Sequence, residues 1–551
     1  MAAPILQLDV PMDDLRQLVE RTRQTPLTDE EYTTLKAAIE TLGYVAGLLE
    51  QKGTTIANLR QLLFGATTEK TRQVLADAGI TDARSAEAPE DAAPPADLDA
   101  SSRDRRHGHG RHPAEAYAGG QRIEVRHGQL HHGDRCPHCT KGKLYVQREA
   151  GLLIRLVGQA PIGATVYALE KLRCNLCGDL FTADPPPGVG PEKYDARAGA
   201  MIAVLKYGTG LPFHRLERLQ AMLQIPLPAS TQWEIVAVLA RRLQPVLHAL
   251  TIEAAQGEVV HNDDTSMTVL ALRGAAGPRG DPSTDEVAPD RTGVFTSAVV
   301  STREGRRIAL FLTGRRHAGE NLARVLATRA EDLGPPIQMC DALSRNLPKP
   351  LTVILSNCLV HARRHIVNVT PSFPAECRHI LERLREVYHY DAETRRQHLS
   401  PTDRLAFHQA HSGAVMDALH GWLTAQLEER RIEPNSGLGK AITYFLKHWG
   451  PLTLFLRQPG APLDNSLVER SLKRAILHRK NAYFYRTSNG SSVGDLFMTM
   501  IHTCELAGVN AFTYLTVLQE HQDAMRQTPT AWMPWNYQQN LSRADTAATS
   551  P

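Results

Sequence analysis

The sequence has almost no excess of charge of either sign and no long apolar run. Its 62 Lys and Arg residues nearly balance 59 Asp and Glu, which argues against a histone-like packing protein. Any charge that binds nucleic acid must therefore be local. No apolar run approaches the roughly 20 residues that cross a bilayer, and residues 1–19 contain no apolar signal-peptide core. We therefore predict a cytoplasmic protein.

Cysteine is also scarce. Eight cysteines in 551 residues are too few for a disulfide framework. Four of them form two CxxC pairs, Cys136–Cys139 and Cys174–Cys177. Two such pairs complete a tetrahedral thiolate site for one structural zinc ion. The alternating residues 144–172 between them predict a zinc ribbon, although the gap exceeds the usual spacing of roughly 15–20 residues. A thioredoxin-like redox role lacks the matching βαβ context.

The segment before the cysteine pairs contains a predicted helix, a predicted linker and a basic stretch. Residues 28–63 are mostly helix formers with apolar residues at a/d spacing, which predicts either a coiled-coil partner helix or a helix packed on its own domain. Residues 81–102 are rich in Ala, Pro and acids and predict a flexible linker. The basic segment Arg103–His112 is either a solvated tail or a loose contact to phosphates.

A helical pattern covers residues 196–250. Residues 211–215 open one helix, and Ser230 or Thr231 is a candidate cap for the next. The segment between them predicts either a DNA-reading helix-turn-helix or an ordinary helix pair.

From Gly257 the pattern changes to strands. The predicted order of strand, strand, strand, helix, strand is that of a ribonuclease-H-like fold. In that fold the first strand carries one acid, here Asp263 or Asp264, and the fourth strand ends beside it with a second, here Asp341. Each acid alone is also compatible with a polar turn or a loop cap.

A third acid is expected on a later helix. On a helix Asn465, Glu469 and Lys473 share one face, so Glu469 can project toward the two aspartates. An ordinary surface ion pair of Glu469 with Lys473 is the alternative. Three converging carboxylates predict two divalent cations, Mg²⁺ or Mn²⁺, that serve in-line displacement at phosphorus.

Several motifs in this order resemble the transposases of the insertion-sequence-sixty-six family. They include the stretch 62–70 (LLFGATTEK), the two CxxC pairs, Lys206-Tyr207 with 210–215, and Asp263-Asp264-Thr265, which is similar to the family's Asp-Glu-Thr. The remaining motifs are Cys358, His361, Arg363 and Arg364; Asp464, Asn465, Glu469 and Arg470; Arg479-Lys480-Asn481 with Ser488 and Gly490; and Met533-Pro534-Trp535-Asn536.

The resemblance implies a catalytic DDE triad of Asp263, Asp341 and Glu469, with Asp264 as the alternative first acid. It implies phosphate contacts from Arg363, Arg364, Arg470, Arg479 and Lys480; the alternative for Arg363 and Arg364 is a solvated helix face. The role of His361 stays open. The implied partners are double-stranded DNA at element ends and target, a second copy of the chain or a larger synaptic assembly, and helper proteins of the element. The implied location is the bacterial nucleoid when the protein is bound to DNA.

The predicted function is therefore metal-dependent DNA strand cleavage and transfer. The alternatives are a non-catalytic zinc-ribbon DNA-binding regulator and a nuclease of the same fold. The predicted architecture is multidomain α+β, and its segments are an N-terminal helical segment (1–79), a linker (80–118), a zinc ribbon (119–190), a helical domain (191–255), a ribonuclease-H-like catalytic domain (256–515) with a helical insertion at about 367–451, and a C-terminal tail (516–551).

Overall fold

The computed structural model describes residues 131–139, 141–145, 159–173, 180–190, 192–273 and 291–541, with single residues at 28, 32, 35, 74 and 129. Four predicted features lie outside the described residues: most of the N-terminal helix, the linker, the basic segment Arg103–His112, and the second cysteine pair, Cys174 and Cys177.

Seven strands are present in the described residues, and the fold is mixed α+β, as predicted. Their bounds are β1 Lys171–Arg173, β2 Leu180–Thr182, β3 Val259–Ser266, β4 Phe295–Arg303, β5 Arg306–Gly314, β6 Ile337–Cys340 and β7 Ile354–Asn357. Strands β1 and β2 form a small antiparallel hairpin. The other five strands form one mixed sheet with the order β5-β4-β3-β6-β7.

The chain divides into two compact units that alternate along the sequence. The first comprises residues 1–92, 258–263 and 334–467, and the second comprises residues 93–257, 264–333 and 468–551. The boundary falls within strand β3, between Asp263 and Asp264.

In the first unit, β3 pairs with β6 and β6 pairs with β7, both in parallel, and Val260 lies opposite Gln338. The helices of this unit follow β7: α5 Leu359–Val369, α6 Pro374–Arg396, α7 Pro401–Glu428, α8 Gly437–Lys447 and α9 Trp449–Leu452. Their apolar faces form one buried core with Ile337 of β6. This helical run covers the segment in which the insertion is predicted.

In the second unit, β4 and β5 form an antiparallel hairpin that turns at Glu304 and Gly305, both with positive φ. The helices of this unit are α1 Ala196–Ala203, α2 Phe213–Met222, α3 Ala229–Ala255, α4 Ala318–Leu326, α10 Ser466–Ala482 (its first two residues belong to the first unit), α11 Ser488–Leu506, α12 Ala511–Glu520 and α13 Gln522–Gln527. A π-helical turn, Val204–Gly208, follows α1 directly.

Helix α11 covers the outer edge of β5 in the second unit. The hydroxyls of Thr503 and Thr499 accept hydrogen bonds from the backbone amides of Ala309 and Phe311, and the Asp495 carboxylate accepts from the Thr313 amide. These three side chains recur every four residues on one helix face. They satisfy an edge strand that would otherwise present unpaired amides.

The predicted order of the sheet region, three strands, a helix and a fourth strand, is present as β3, β4, β5, α4 and β6. One prediction is wrong: neither Ser230 nor Thr231 caps α3. The helix begins one residue earlier, at Ala229, and its N-cap is Pro228, which makes no side-chain hydrogen bond. The extended backbone of Pro228 leads directly into the first turn, so both hydroxyl residues lie inside the helix.

Helix α3 is the one described helix that is long and apolar enough to cross a membrane by length and composition alone. From the sequence we expect no segment of this kind. The helix carries exposed Arg241 and Arg242 near its middle, while Leu243, Val246 and Leu250 are fully buried. This pattern is that of a core helix with one solvent-facing side.

Candidate active site

In the first unit, Asp263 lies on β3, and Asp341 directly follows the last residue of the neighbouring parallel strand β6. His261 pairs with Met339, so continuing this register by two residues brings Asp263 level with Asp341. Side chains alternate along a strand, so the continued register predicts that the two carboxylates share a face. Burial and the negative charges of Asp341 and Asp263 raise the pKa of the Cys340 thiol. That dependence agrees with two acids grouped at the end of β6.

Asp264 has a different set of contacts in the second unit. Its Oδ2 lies 3.0 Å from Nδ1 of His317 and accepts from the backbone amide of Ala318 at 3.3 Å. Ala318 is the first residue of α4, so the carboxylate lies at the positive end of that helix. The Asp264 side chain is 2% exposed. Asp264 therefore stabilises the start of α4.

The loop after β6 holds the Asp341 carboxylate. Its Oδ1 accepts hydrogen bonds from the backbone amide of Leu343, at 3.2 Å, and from the Asn346 side-chain amide. Asn346 is buried, and its carbonyl accepts from the side-chain amides of Asn262 and Gln338 at 2.8 Å and 2.6 Å. This buried amide network fixes the orientation of Asp341 relative to β3.

Tyr444 of α8 lies beside the same loop. Burial and the negative charge of Asp341 raise the pKa of the Tyr444 hydroxyl to about 12. The hydroxyl therefore stays protonated at neutral pH.

Asn465, the residue before helix α10, is hydrogen-bonded to strand β3. Its contacts described here all lie in the first unit. Asn465 is fully buried, and its side-chain Nδ2 donates to the Asn262 carbonyl at 3.1 Å. Its Oδ1 lies 3.1 Å from Nδ1 of His261. Because the Asn465 oxygen can only accept, His261 donates from Nδ1. The Asn465 backbone amide also donates to the Cys358 sulfur.

Glu469 lies in the first turn of α10, four residues after Asn465. The helix therefore starts from a residue bonded to β3 at Asn262, immediately before Asp263. Glu469 itself belongs to the second unit.

The predicted phosphate-binding residues occupy two helices. His361, Arg363 and Arg364 are partly buried on α5, which begins just after β7, and the Cys358 amide there donates to the Cys340 carbonyl. Arg470 and Lys480 are exposed on α10. Arg479 instead donates to the Thr265 hydroxyl at 3.1 Å and to the carbonyl and hydroxyl of Ser266. Its guanidinium therefore joins α10 to the end of β3.

The first cysteine pair has the geometry of a metal-binding knuckle. Cys136 donates its amide to the Gly142 carbonyl, and Gly142 donates its own amide to the Cys139 sulfur at 3.4 Å. Hydrogen bonds from the backbones of Gly142 and Lys141 lower the pKa of the Cys139 thiol and favour the thiolate, the form that binds zinc. The contacts of Cys136 and Cys139 therefore fit a role as zinc ligands.

Sequence reasoning missed the role of the buried amides. In the sequence, Asn465 stands out as part of a helix face and of a family motif, whereas Asn262, Gln338 and Asn346 do not stand out. The signal that could have identified these amides is the pair of polar residues, His261 and Asn262, directly before the candidate acid Asp263.

Comparison with known proteins adds a family match. A family model described as "Transposase IS66 family" matches residues 193–492, which is more than half of the chain. The resemblance inferred from the motifs is thereby confirmed.

Similar proteins occur in Sinorhizobium fredii. Its uncharacterized protein y4jD is 33% identical over 188 residues, which cover 33% of this chain and 36% of that protein. Its uncharacterized protein y4hP is 26% identical over 388 residues, 67% of each chain. The uncharacterized protein y4qI is 24% identical over 359 residues, which cover 61% of this chain and 62% of that protein.

Proposed function

Because the chain belongs to the IS66 transposase family, we propose that it is a DDE-type transposase that cleaves and joins DNA strands at the ends of an insertion element. Asp263, Asp341 and Glu469 are the proposed catalytic acids. The observation that carries the proposal is the parallel pairing of β3 with β6, whose register places Asp263 of β3 level with Asp341, the residue directly after β6. The order of elements along the chain, three strands, a helix and a fourth strand, is the one predicted from the sequence for a ribonuclease-H-like domain and supports the proposal.

Asp263 is the proposed first acid in preference to Asp264. Neighbouring residues of a strand point to opposite faces, so only one of the two can face Asp341. Asp264 is engaged by His317 and the first turn of α4. Asp263 is on the face of His261, whose ring is bonded to Asn465.

Glu469 is the proposed third acid because of the way its helix begins. Asn465 fixes the chain to β3 one turn before Glu469. A change at Asn465 would therefore alter the start of the helix that carries the acid.

The three carboxylates offer the hard oxygen ligands that Mg²⁺ and Mn²⁺ prefer. When bound, two such ions would activate the attacking oxygen and stabilise the leaving oxygen of an in-line displacement at phosphorus. The protein's contribution is orientation: Leu343 and Asn346 hold Asp341, and the strand backbone holds Asp263.

DNA is the proposed partner, with exposed Arg470 and Lys480 and the partly buried Arg363 and Arg364 as candidate phosphate contacts. We include Arg479 as a residue that positions α10 through Thr265 and Ser266. Cys136 and Cys139, with Cys174 and Cys177, are the proposed ligands of one structural zinc ion. A dimer or larger synaptic assembly is proposed for the active form.

The test is cleavage of DNA that carries the element's ends, with Mn²⁺ added, by the full chain and three amide variants. Asp263→Asn and Glu469→Gln should each lower the cleavage rate on the order of a hundredfold or more, because each removes a charged ligand that stabilises the transition state by several kcal/mol. Asp264→Asn is the matched control and should retain most of the rate. It keeps a side-chain oxygen that can accept from Ala318.

Equal rates for the full chain and Glu469→Gln would remove the proposed triad. Loss of cleavage in Asp264→Asn with full retention in Asp263→Asn would exchange the roles of the two neighbours. Cleavage without joining of the cut end to target DNA would indicate a nuclease, and binding without cleavage would indicate a DNA-binding regulator.

A further inference from the structure

The turn after helix α10 exposes two aromatic rings side by side in sequence. Tyr483 is 71% exposed and Phe484 is 44% exposed. Burying a large aromatic side chain is normally favourable by roughly 2 kcal/mol, so exposing two neighbours gives up stability. Exposed apolar groups that adjoin each other often mark an interaction site.

The backbone at this turn is strained. Tyr483 has φ of 65°, a conformation that side-chain-bearing residues rarely adopt. The Phe484 amide donates to the Ala482 carbonyl at 2.8 Å, which makes Tyr483 the central residue of a three-residue turn. With positive φ this is the rare form of the γ-turn. Such strain persists only where the surroundings hold it, and it occurs most often at functional sites.

The surroundings of the turn are rigid, and all of these contacts lie in the second unit. Before it, the Asn481 side chain donates to the Gly210 carbonyl at 3.0 Å. After it, Tyr485 donates its amide to Thr268 and accepts from the Leu270 amide, both at 2.9 Å. The Tyr485 ring is buried and stacks on His478 at 4.3 Å. A Cβ added at Gly494 would collide with the Tyr485 hydroxyl.

Cationic residues flank the two rings. Lys480 precedes them and Arg486 follows them, and both are exposed. Arg479 connects the same helix end to Thr265 and Ser266 of β3, which follow Asp263 by two and three residues. The rings therefore lie on a rigid turn attached to the strand that carries the proposed first acid.

We propose that Tyr483 and Phe484 form a stacking platform for an unpaired nucleobase of the bound DNA, with Lys480 and Arg486 contacting the phosphates on either side. Every base has an aromatic face, so aromatic side chains accept unpaired bases with little regard to sequence. Flanking cations favour a nucleic acid over an apolar protein surface, because they match a phosphate backbone. This inference rests on the proposed function for the identity of the DNA.

The test measures binding, not cleavage. Two duplexes are compared that are identical except that one carries a single unpaired 2-aminopurine at its centre and the other pairs the same base. Binding is measured by anisotropy and base stacking by 2-aminopurine fluorescence, with the full chain and without added divalent cations. The wild type should bind the unpaired form more tightly and quench its fluorescence.

The informative variant is Tyr483→Gly combined with Phe484→Ala, because glycine adopts positive φ without strain and should not unfold the turn. It should lose about tenfold in affinity for the unpaired duplex, together with the quenching, and change little on the paired duplex. Tyr483→Phe keeps the ring and should behave as wild type. Lys480→Ala should weaken binding to both duplexes and lessen the salt dependence.

Equal affinity of wild type and double variant for the unpaired duplex would overturn the platform. An equal loss of affinity for both duplexes in the double variant would overturn it as well. So would a double variant whose oligomeric state changes in light scattering while its quenching does not, because the rings would then belong to a contact between copies of the chain. Failure of the triad would appear separately, as cleavage that is insensitive to Glu469→Gln in a protein that still quenches 2-aminopurine.

Discussion

Replacing Asn465 by Ala should destabilise the first unit and lower DNA cleavage together. The Asn465 side chain is fully buried and bonds to the Asn262 carbonyl and to the His261 ring, each at 3.1 Å. The variant leaves a buried acceptor and a buried donor without this partner. Each loss costs about 1–3 kcal/mol, so the two losses together should lower the free energy of unfolding by about 2–6 kcal/mol.

The assay is denaturation in urea, followed by a signal from the first unit. Lys473→Ala is the matched control, because Lys473 is an exposed residue of the same helix and surface changes usually stay within about 0.5 kcal/mol. A double-mutant cycle with His261→Ala isolates the bond between the two side chains. Residues in direct contact should give a coupling energy of about 0.5–3 kcal/mol.

The cleavage rate of Asn465→Ala should fall even at temperatures where the variant is fully folded, because the residue fixes the start of the helix that carries Glu469. The reasoning fails if Asn465→Ala unfolds no more easily than Lys473→Ala. It also fails if the effects of Asn465→Ala and His261→Ala simply add.

Three further predictions concern other parts of the chain. Asp391 is buried, and its hydrogen bond to His408 and its ion pairs with Arg404 and Arg395 lower the pKa of its carboxyl to about 2. Asp391→Asn should therefore lower the free energy of unfolding by about 2 kcal/mol at pH 7. In a series of denaturation experiments this difference should disappear as the pH falls from about 4 through 2. Burial lowers the pKa of the Lys206 ammonium to about 8, so Lys206→Met should raise the melting temperature at pH 7 by an amount that shrinks as the pH rises from 8 to 10.5; an unchanged or lower melting temperature would refute this. Cys139→Ser should abolish a zinc content of about one ion per chain in elemental analysis, whereas His138→Ala should leave it unchanged.

The strands of the sheet region were predictable because they depend on local pattern. The predicted order of three strands, a helix and a fourth strand is present as β3, β4, β5, α4 and β6. The helix of Glu469 followed from spacing alone. These features depend on residues close in sequence, where side-chain period is informative.

The contacts that orient the acids were not predictable, because their partners are far apart in the chain. Asn465 bonds to His261 across 204 positions, and Asn262 bonds to Asn346 across 84. The choice of neighbour depends on how strands and helices pack, which no local pattern contains. Arg479 illustrates the same limit: its basic motif indicated phosphate, and the packing of α10 brings its guanidinium to Thr265 and Ser266.

Strand geometry gives the adjacent residues Asp263 and Asp264 different surroundings. Two successive side chains of β3 point to opposite faces, so the two carboxylates have different partners. Asp264 accepts from the first amide of α4 and from His317, and a carboxylate in that position is favoured by the helix dipole. An amide at Asp264 would keep the acceptor and lose only the charge, whereas an amide at Asp263 would remove a charge that we propose binds a metal ion. The different cost of the same substitution at neighbouring positions therefore follows from their faces, and not from their distance along the chain.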